Sequence, residues 1–102
     1  MLPVLTDEQR RAALERATEA RMMRGSLKKA LKAGTVTPEY VMAQPEAKRM
    51  RVLDLMKAMP SIGPAKAERA MRELRISQGR RIQGLGIRQM ERFLDWIDRN
   101  EH

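Results

Sequence analysis

Between Thr6 and Gly34 only Gly25 interrupts the signals for one continuous helix, and that run constrains everything else the chain can build. Thr6 and Gln9 stand at capping-box spacing: the hydroxyl can accept from the third helical amide while the Gln side chain reaches back to the cap. Asp7 and Glu8 put negative charge at the positive end of the macrodipole, and Gly34 supplies the stop beyond Ala33. At ~1.5 Å per residue such a helix extends about 40 Å. That is longer than a domain of 102 residues is wide, so the helix must protrude.

At 100° per residue the helix carries two adjoining stripes. Ala13, Ala20, Met23, Leu27, Ala30 and Leu31 form an apolar one, and Arg10, Arg21, Arg24, Lys28 and Lys32 form a basic one beside it. No acid lies between Arg21 and Ala33, so these cations have no partner one turn away. A coiled coil is a poor account of this helix, because its apolar stripe is rich in Ala and lacks the Leu that the seam requires.

Further helix punctuation follows. Thr37-Pro38-Glu39 opens a short helix that Pro45 limits, and the cations Lys48, Arg49 and Arg51 come next. Val52, Leu53, Leu55, Met56 and Met59 make an apolar helix closed by Pro60. Ser61-Ile62-Gly63-Pro64 is a tight turn, and Pro64 starts a helix that buries Ala67, Ala70, Met71 and Leu74 while exposing Lys66, Arg69 and Arg72. After an irregular stretch from Ser77 to Gly86, the last helix places Ile87, Met90, Phe93, Leu94 and Ile97 on its apolar side, with Trp96 as packing beside them. No segment alternates with a β period, so the fold class is all-α. The reading divides the chain into a basic amphipathic helix over residues 1–34 and a compact helical part over 35–102, within one folding unit.

Composition narrows the function. Cysteine is absent and the one histidine, His102, is the last residue, which leaves no thiolate or imidazole for a metal site or a nucleophilic triad. The expectation is a protein with no catalytic residues, no metal and no cofactor. No apolar run is long enough for a membrane span and the opening Met-Leu-Pro-Val-Leu is not a signal peptide, which implies a cytoplasmic setting. Lys and Arg number 21 against 13 Asp and Glu, for a net charge of +8, which points to a polyanion as partner. Only Tyr40, Phe93 and Trp96 are aromatic, too few to stack single-stranded bases, so a duplex held through its backbone is favoured.

Two turns carry candidate phosphate sites. Gly63 lets a ligand approach the backbone where the next helix begins with unpaired amides, and Lys66 lies in that first turn. The same stretch also reads as an ordinary αα-hairpin with a surface lysine. Arg80-Arg81-Ile82-Gln83-Gly84-Leu85-Gly86 joins two guanidiniums to a glycine-rich turn and a helix start. Gly84 and Gly86 would present amides there, with Leu85 plugging the loop into the core. The plainer alternative is a solvated charged loop.

These elements, in order along nearly the whole chain, resemble the actinobacterial (mycobacterial-type) integration host factor family. The residues that carry the resemblance are Leu5-Thr6-Asp7-Glu8-Gln9-Arg10, Leu31-Lys32-Ala33-Gly34, Leu55 to Gly63, Ala70 to Leu74, and above all Arg80 to Gly86. The resemblance implies a helix-two-turn-helix DNA-binding motif behind a long N-terminal helix. It implies a nucleoid-associated protein that binds double-stranded DNA with little sequence preference, bends or compacts it, and assists phage site-specific recombination. By the same resemblance, Gly63, Lys66, Arg80, Arg81, Gln83, Gly84 and Gly86 contact DNA, and Arg21, Arg24, Lys28 and Lys32 form a second DNA surface. Three departures stand out: Gln83 where the family has a third Arg, Pro64 where a basic residue is common, and Arg75 where Gly is frequent. The segment between Gly34 and Arg51 is also a few residues shorter than usual.

The expected state is a monomer with DNA as partner, no membrane, and a recombinase, integrase or topoisomerase as a candidate protein partner. Two other readings stay open: an RNA-binding helical module, since related hairpins occur in a small-subunit ribosomal protein, and an adaptor that docks a recombinase or topoisomerase. A helix-two-turn-helix DNA-repair glycosylase fits poorly, because the large catalytic domain of that class is missing. Engagement of about five phosphates would give a salt slope near −4 or −5.

Overall fold

The computed structural model describes residues 4–100, so the readings that involve Met1-Leu2-Pro3 and His102 lie outside the described residues. Among the described residues five α-helices follow one another: α1 (Asp7–Lys32), α2 (Pro38–Ala43), α3 (Val52–Ala58), α4 (Pro64–Glu73) and α5 (Ile87–Asn100). Short 3-10 segments at Pro45–Arg49 and Ile82–Gly84 complete the order. The fold class is the all-α one the sequence predicts.

Helix α1 begins with the anticipated capping box. Thr6 Oγ1 accepts from the Gln9 amide at 3.1 Å, and Gln9 Oε1 accepts from the Thr6 amide at 2.8 Å. It ends in a Schellman motif: Gly34 adopts φ 78°, and the amides of Gly34 and Thr35 donate to Leu31 and Ala30 carbonyls, each at 3.0 Å. Helix α4 ends in the same way, with Arg75 in the glycine position at φ 57° and the Ile76 amide donating to the Met71 carbonyl at 2.9 Å. A β-carbon in this region is strained, so the Arg75 departure does strain that helix end.

The core is aliphatic and rich in Met, centred on Leu31, Val52, Leu55, Met56, Met59, Ile62, Met71, Phe93 and Ile97. Trp96 joins it, its ring 6.3 Å from that of Phe93 and inclined by 17°. Tertiary contact reaches α1 through α2, α3 and the Pro45–Arg49 segment.

Two apolar faces are covered only in part. Only Leu27 and Leu31 of the α1 stripe are buried; Ala20 and Ala30 are half-buried, and Ala13 and Met23 are exposed. The helical part therefore holds α1 by its C-terminal turns, because the alanines further back offer too little apolar area to anchor it. The N-terminal half runs free, which is why the molecule extends 49 × 31 × 22 Å. In α5 the buried side is Phe93, Trp96 and Ile97, while Ile87 is 82% and Leu94 39% exposed. Helical spacing predicts both to pack inward, but the buried arc centres on the Phe93–Trp96–Ile97 side and turns them to its far edge.

Candidate nucleic-acid interface

The second turn is pinned by an antiparallel bridge between Arg51 and Arg81. The Val52 amide donates to the Arg80 carbonyl at 3.0 Å, and the Ile82 amide donates to the Met50 carbonyl at 2.9 Å. Ile82 is buried and Leu85 packs against the core, as the plug reading expects, so Arg81 and Gln83 on either side of Ile82 stay exposed. Arg80 Nη1 donates to the Gly84 carbonyl at 3.2 Å. A β-carbon at position 84 would come within 3.2 Å of Arg80 Cδ, so glycine there leaves room for the arginine stem.

The amides are less available than the sequence suggests. That of Gly84 donates to the Arg81 carbonyl at 2.9 Å, closing the 3-10 turn, and that of Gly86 donates to Gln89 Oε1 at 3.0 Å. Gln89 Nε2 in turn donates to the Arg75 carbonyl at 3.4 Å, tying this turn to the end of α4. The Met90 amide is the first to reach a carbonyl four residues back, on Gly86 at 2.8 Å. The donors that α5 turns outward are therefore those of Ile87, Arg88 and Gln89.

Around this turn the cations join up. Arg80, Arg81, Gln83 and Gly84 line one shallow groove with Ser77 and Gly79. Gln83 also lines a second groove, where Arg21 and Arg24 from α1 face Lys48 and Arg49. The Arg81 guanidinium donates to the Arg49 carbonyl, which links the two. Glu46 is the acid of that second groove, and it forms no ion pair among the described residues. Among the described residues the one ion pair is Lys57 with Asp54, at 3.7 Å, so no guanidinium or ammonium of either groove is held in an ion pair there, and four cations face the single carboxylate of Glu46 in the second groove. The second turn and Arg21 and Arg24 of the α1 basic stripe thus form one track, meeting at Gln83.

Lys28 and Lys32 lie further along α1, in a depression shared with Lys29, Asp54 and Lys57. Lys32 Nζ donates to the carbonyls of Lys57 and Met59 at 3.3 and 3.4 Å, so part of its role is to cap the end of α3. Lys66 lines a different depression with Arg69, Glu73, Trp96 and Arg99. Gly63 caps α4 at φ −87°, and a methyl group on its α-carbon would meet no atom within 4 Å, so neither conformation nor packing inside the chain requires glycine there. Sequence reasoning marks Lys48 and Arg49 as cations without giving them a role. Their place beside Arg81 follows from the Arg51–Arg81 bridge, which no local pattern announces.

Residues 21–96 match the family model described as an S13-like H2TH domain. Across 97% of its length the chain is 43% identical to the integration host factor of Mycolicibacterium smegmatis, of which it covers 98%. The chain belongs to the integration host factor family. It is similar also to the integration host factor of Mycobacterium tuberculosis, 44% identical with 92% of this chain and 93% of that one covered. The integration host factor of Streptomyces coelicolor is 39% identical, with 87% of each covered. Among solved structures, one described as "Structure of sIHF bound to an 8bp palindromic DNA" superposes with a TM-score of 0.74 at 29% identity, covering 81% of this chain and 98% of that chain. The family's long N-terminal helix and helix-two-turn-helix arrangement are the ones the sequence resemblance implied.

Proposed function

We propose that this integration host factor family member is a nucleoid-associated protein that binds double-stranded DNA largely without regard to sequence, bends or compacts it, and assists phage site-specific recombination. The observation that carries this reading is the track of cations, none ion-paired among the described residues, from Arg21 and Arg24 through Lys48 and Arg49 to Arg80 and Arg81, in a fold shared with a protein solved on DNA. Guanidiniums and ammoniums without acid partners release counterions when they meet phosphates, and that gain is indifferent to sequence.

In this reading Arg80, Arg81, Gln83, Gly84 and Gly86 form the main contact. Arg21 and Arg24 extend it along α1, and Lys28 and Lys32 continue the same strip. Gly63 and Lys66 meet a phosphate at the start of α4. The protein acts as a monomer and works by binding, with no reaction of its own. The free half of α1 is the surface on which a recombinase or topoisomerase would dock.

A mobility shift on unrelated duplexes with a salt titration tests the reading. Comparable affinities across sequences and a steep negative salt slope are expected; strong preference for one fragment, or indifference to salt, would defeat it. The S13-like character of the matched domain favours duplex RNA as a second reading. Competition decides between them: double-stranded RNA that displaces DNA at equal concentration would move the assignment to RNA.

A further inference from the structure

We propose that Ile87 is an apolar wedge that enters a groove of the bound duplex and kinks it at one base step. The proposal rests on the DNA-binding reading above and adds a contact which the cations cannot make. Ile87 is 82% exposed, although the helix it begins buries Phe93, Trp96 and Ile97 in the core. It is the first residue of α5, directly after Gly86. Side chains on a helix tilt toward its N-terminus, so the direction open to Ile87 is that of the preceding Gly84–Gly86 turn, to which Arg80 is joined by its hydrogen bond to the Gly84 carbonyl.

The other large exposed apolar residues have different surroundings. Val4 and Leu5 precede α1, Leu14, Met22 and Met23 lie on it, Tyr40 lies on α2, and Leu94 sits two turns along α5 with Asp95 and Asp98 beside it, while Glu91 stands one turn from both Leu94 and Ile87. Those acids would repel a duplex lying along the helix, so α5 meets DNA by its tip, where Ile87 and Arg88 are the leading side chains. Apolar residues, Ile among them, serve other DNA-bending proteins by partly unstacking a base step from a groove. A β-branched side chain suits that use because it has little rotamer freedom to lose on insertion.

The test compares the full chain with its Ile87→Ala variant. Binding is followed in a salt titration, and bending by energy transfer between the ends of a duplex of about 30 base pairs. Exposure of Ile87 means that the variant folds as the parent does, which thermal melting checks. The variant should bind about five- to tenfold more weakly at every salt concentration, since an apolar contact of this size is removed. Its salt slope should equal that of the parent, and its DNA should be measurably less bent. Equal bending by parent and variant, or a flatter slope in the variant, overturns the wedge while leaving the DNA-binding reading intact. Failure of the parent to bind any duplex overturns both.

Discussion

Replacing Arg80 and Arg81 together by Ala separates phosphate neutralisation from every other account of the second turn. Arg21, Arg24, Lys48, Arg49, Arg80 and Arg81 line the two joined grooves, and among the described residues none has an ion-pair partner. At about 0.9 per phosphate contact, six such cations give log K a slope near −5.4 against log[salt]. Affinity then falls by about three orders of magnitude between roughly 50 and 200 mM salt. The double variant should show a slope near −3.6 and bind about thirtyfold more weakly at about 0.15 M. Fluorescence anisotropy of a labelled duplex, titrated at several salt concentrations, reads both quantities. Because Arg81 also donates to the Arg49 carbonyl, thermal melting must first establish that the double variant keeps its fold. A well-folded variant whose slope changes by less than about 0.5 would remove the second turn from the interface.

Arg75→Gly should stabilise the protein by about 1 kcal/mol, because it relieves a left-handed β-carbon at the end of α4. Calorimetry should show this as a rise in Tm of about 4–8 °C, whereas Arg75→Ala leaves Tm almost unchanged. Gln83→Arg adds a cation where the two grooves meet, so the salt slope should steepen by about 0.9 and affinity should rise on unrelated sequences alike. Leu31→Ala should cost about 2–5 kcal/mol, since this buried leucine is the principal anchor of α1, and urea unfolding would measure the loss.

The parts of this fold that announce themselves in sequence are those set by neighbours along the chain. Thr6 with Gln9, Gly34, and Pro64 mark helix ends by capping chemistry alone, and the structure places the ends there. The burial of Ala67, Ala70, Met71 and Leu74 follows from helical spacing in the same way. What escapes a reading of the sequence depends on distant pairing. Lys48 and Arg49 reach the second turn only because Arg51 pairs with Arg81 across the chain, and the Gly86 amide is occupied by a side chain three residues on. The exposure of Ile87 is hidden for a related reason. An apolar residue at the edge of a buried arc has the same periodicity whether the neighbouring element covers it or leaves it bare.

The unanchored stretch of α1 also sets how closely copies could crowd on a duplex. From Asp7 to Glu19 the rod measures about 20 Å, the length of nearly six base pairs. Each copy then occludes more DNA than its helical body touches. Dense coating would force neighbouring rods to overlap or turn aside, so saturation should come at a lower copy number than the footprint of the body alone allows.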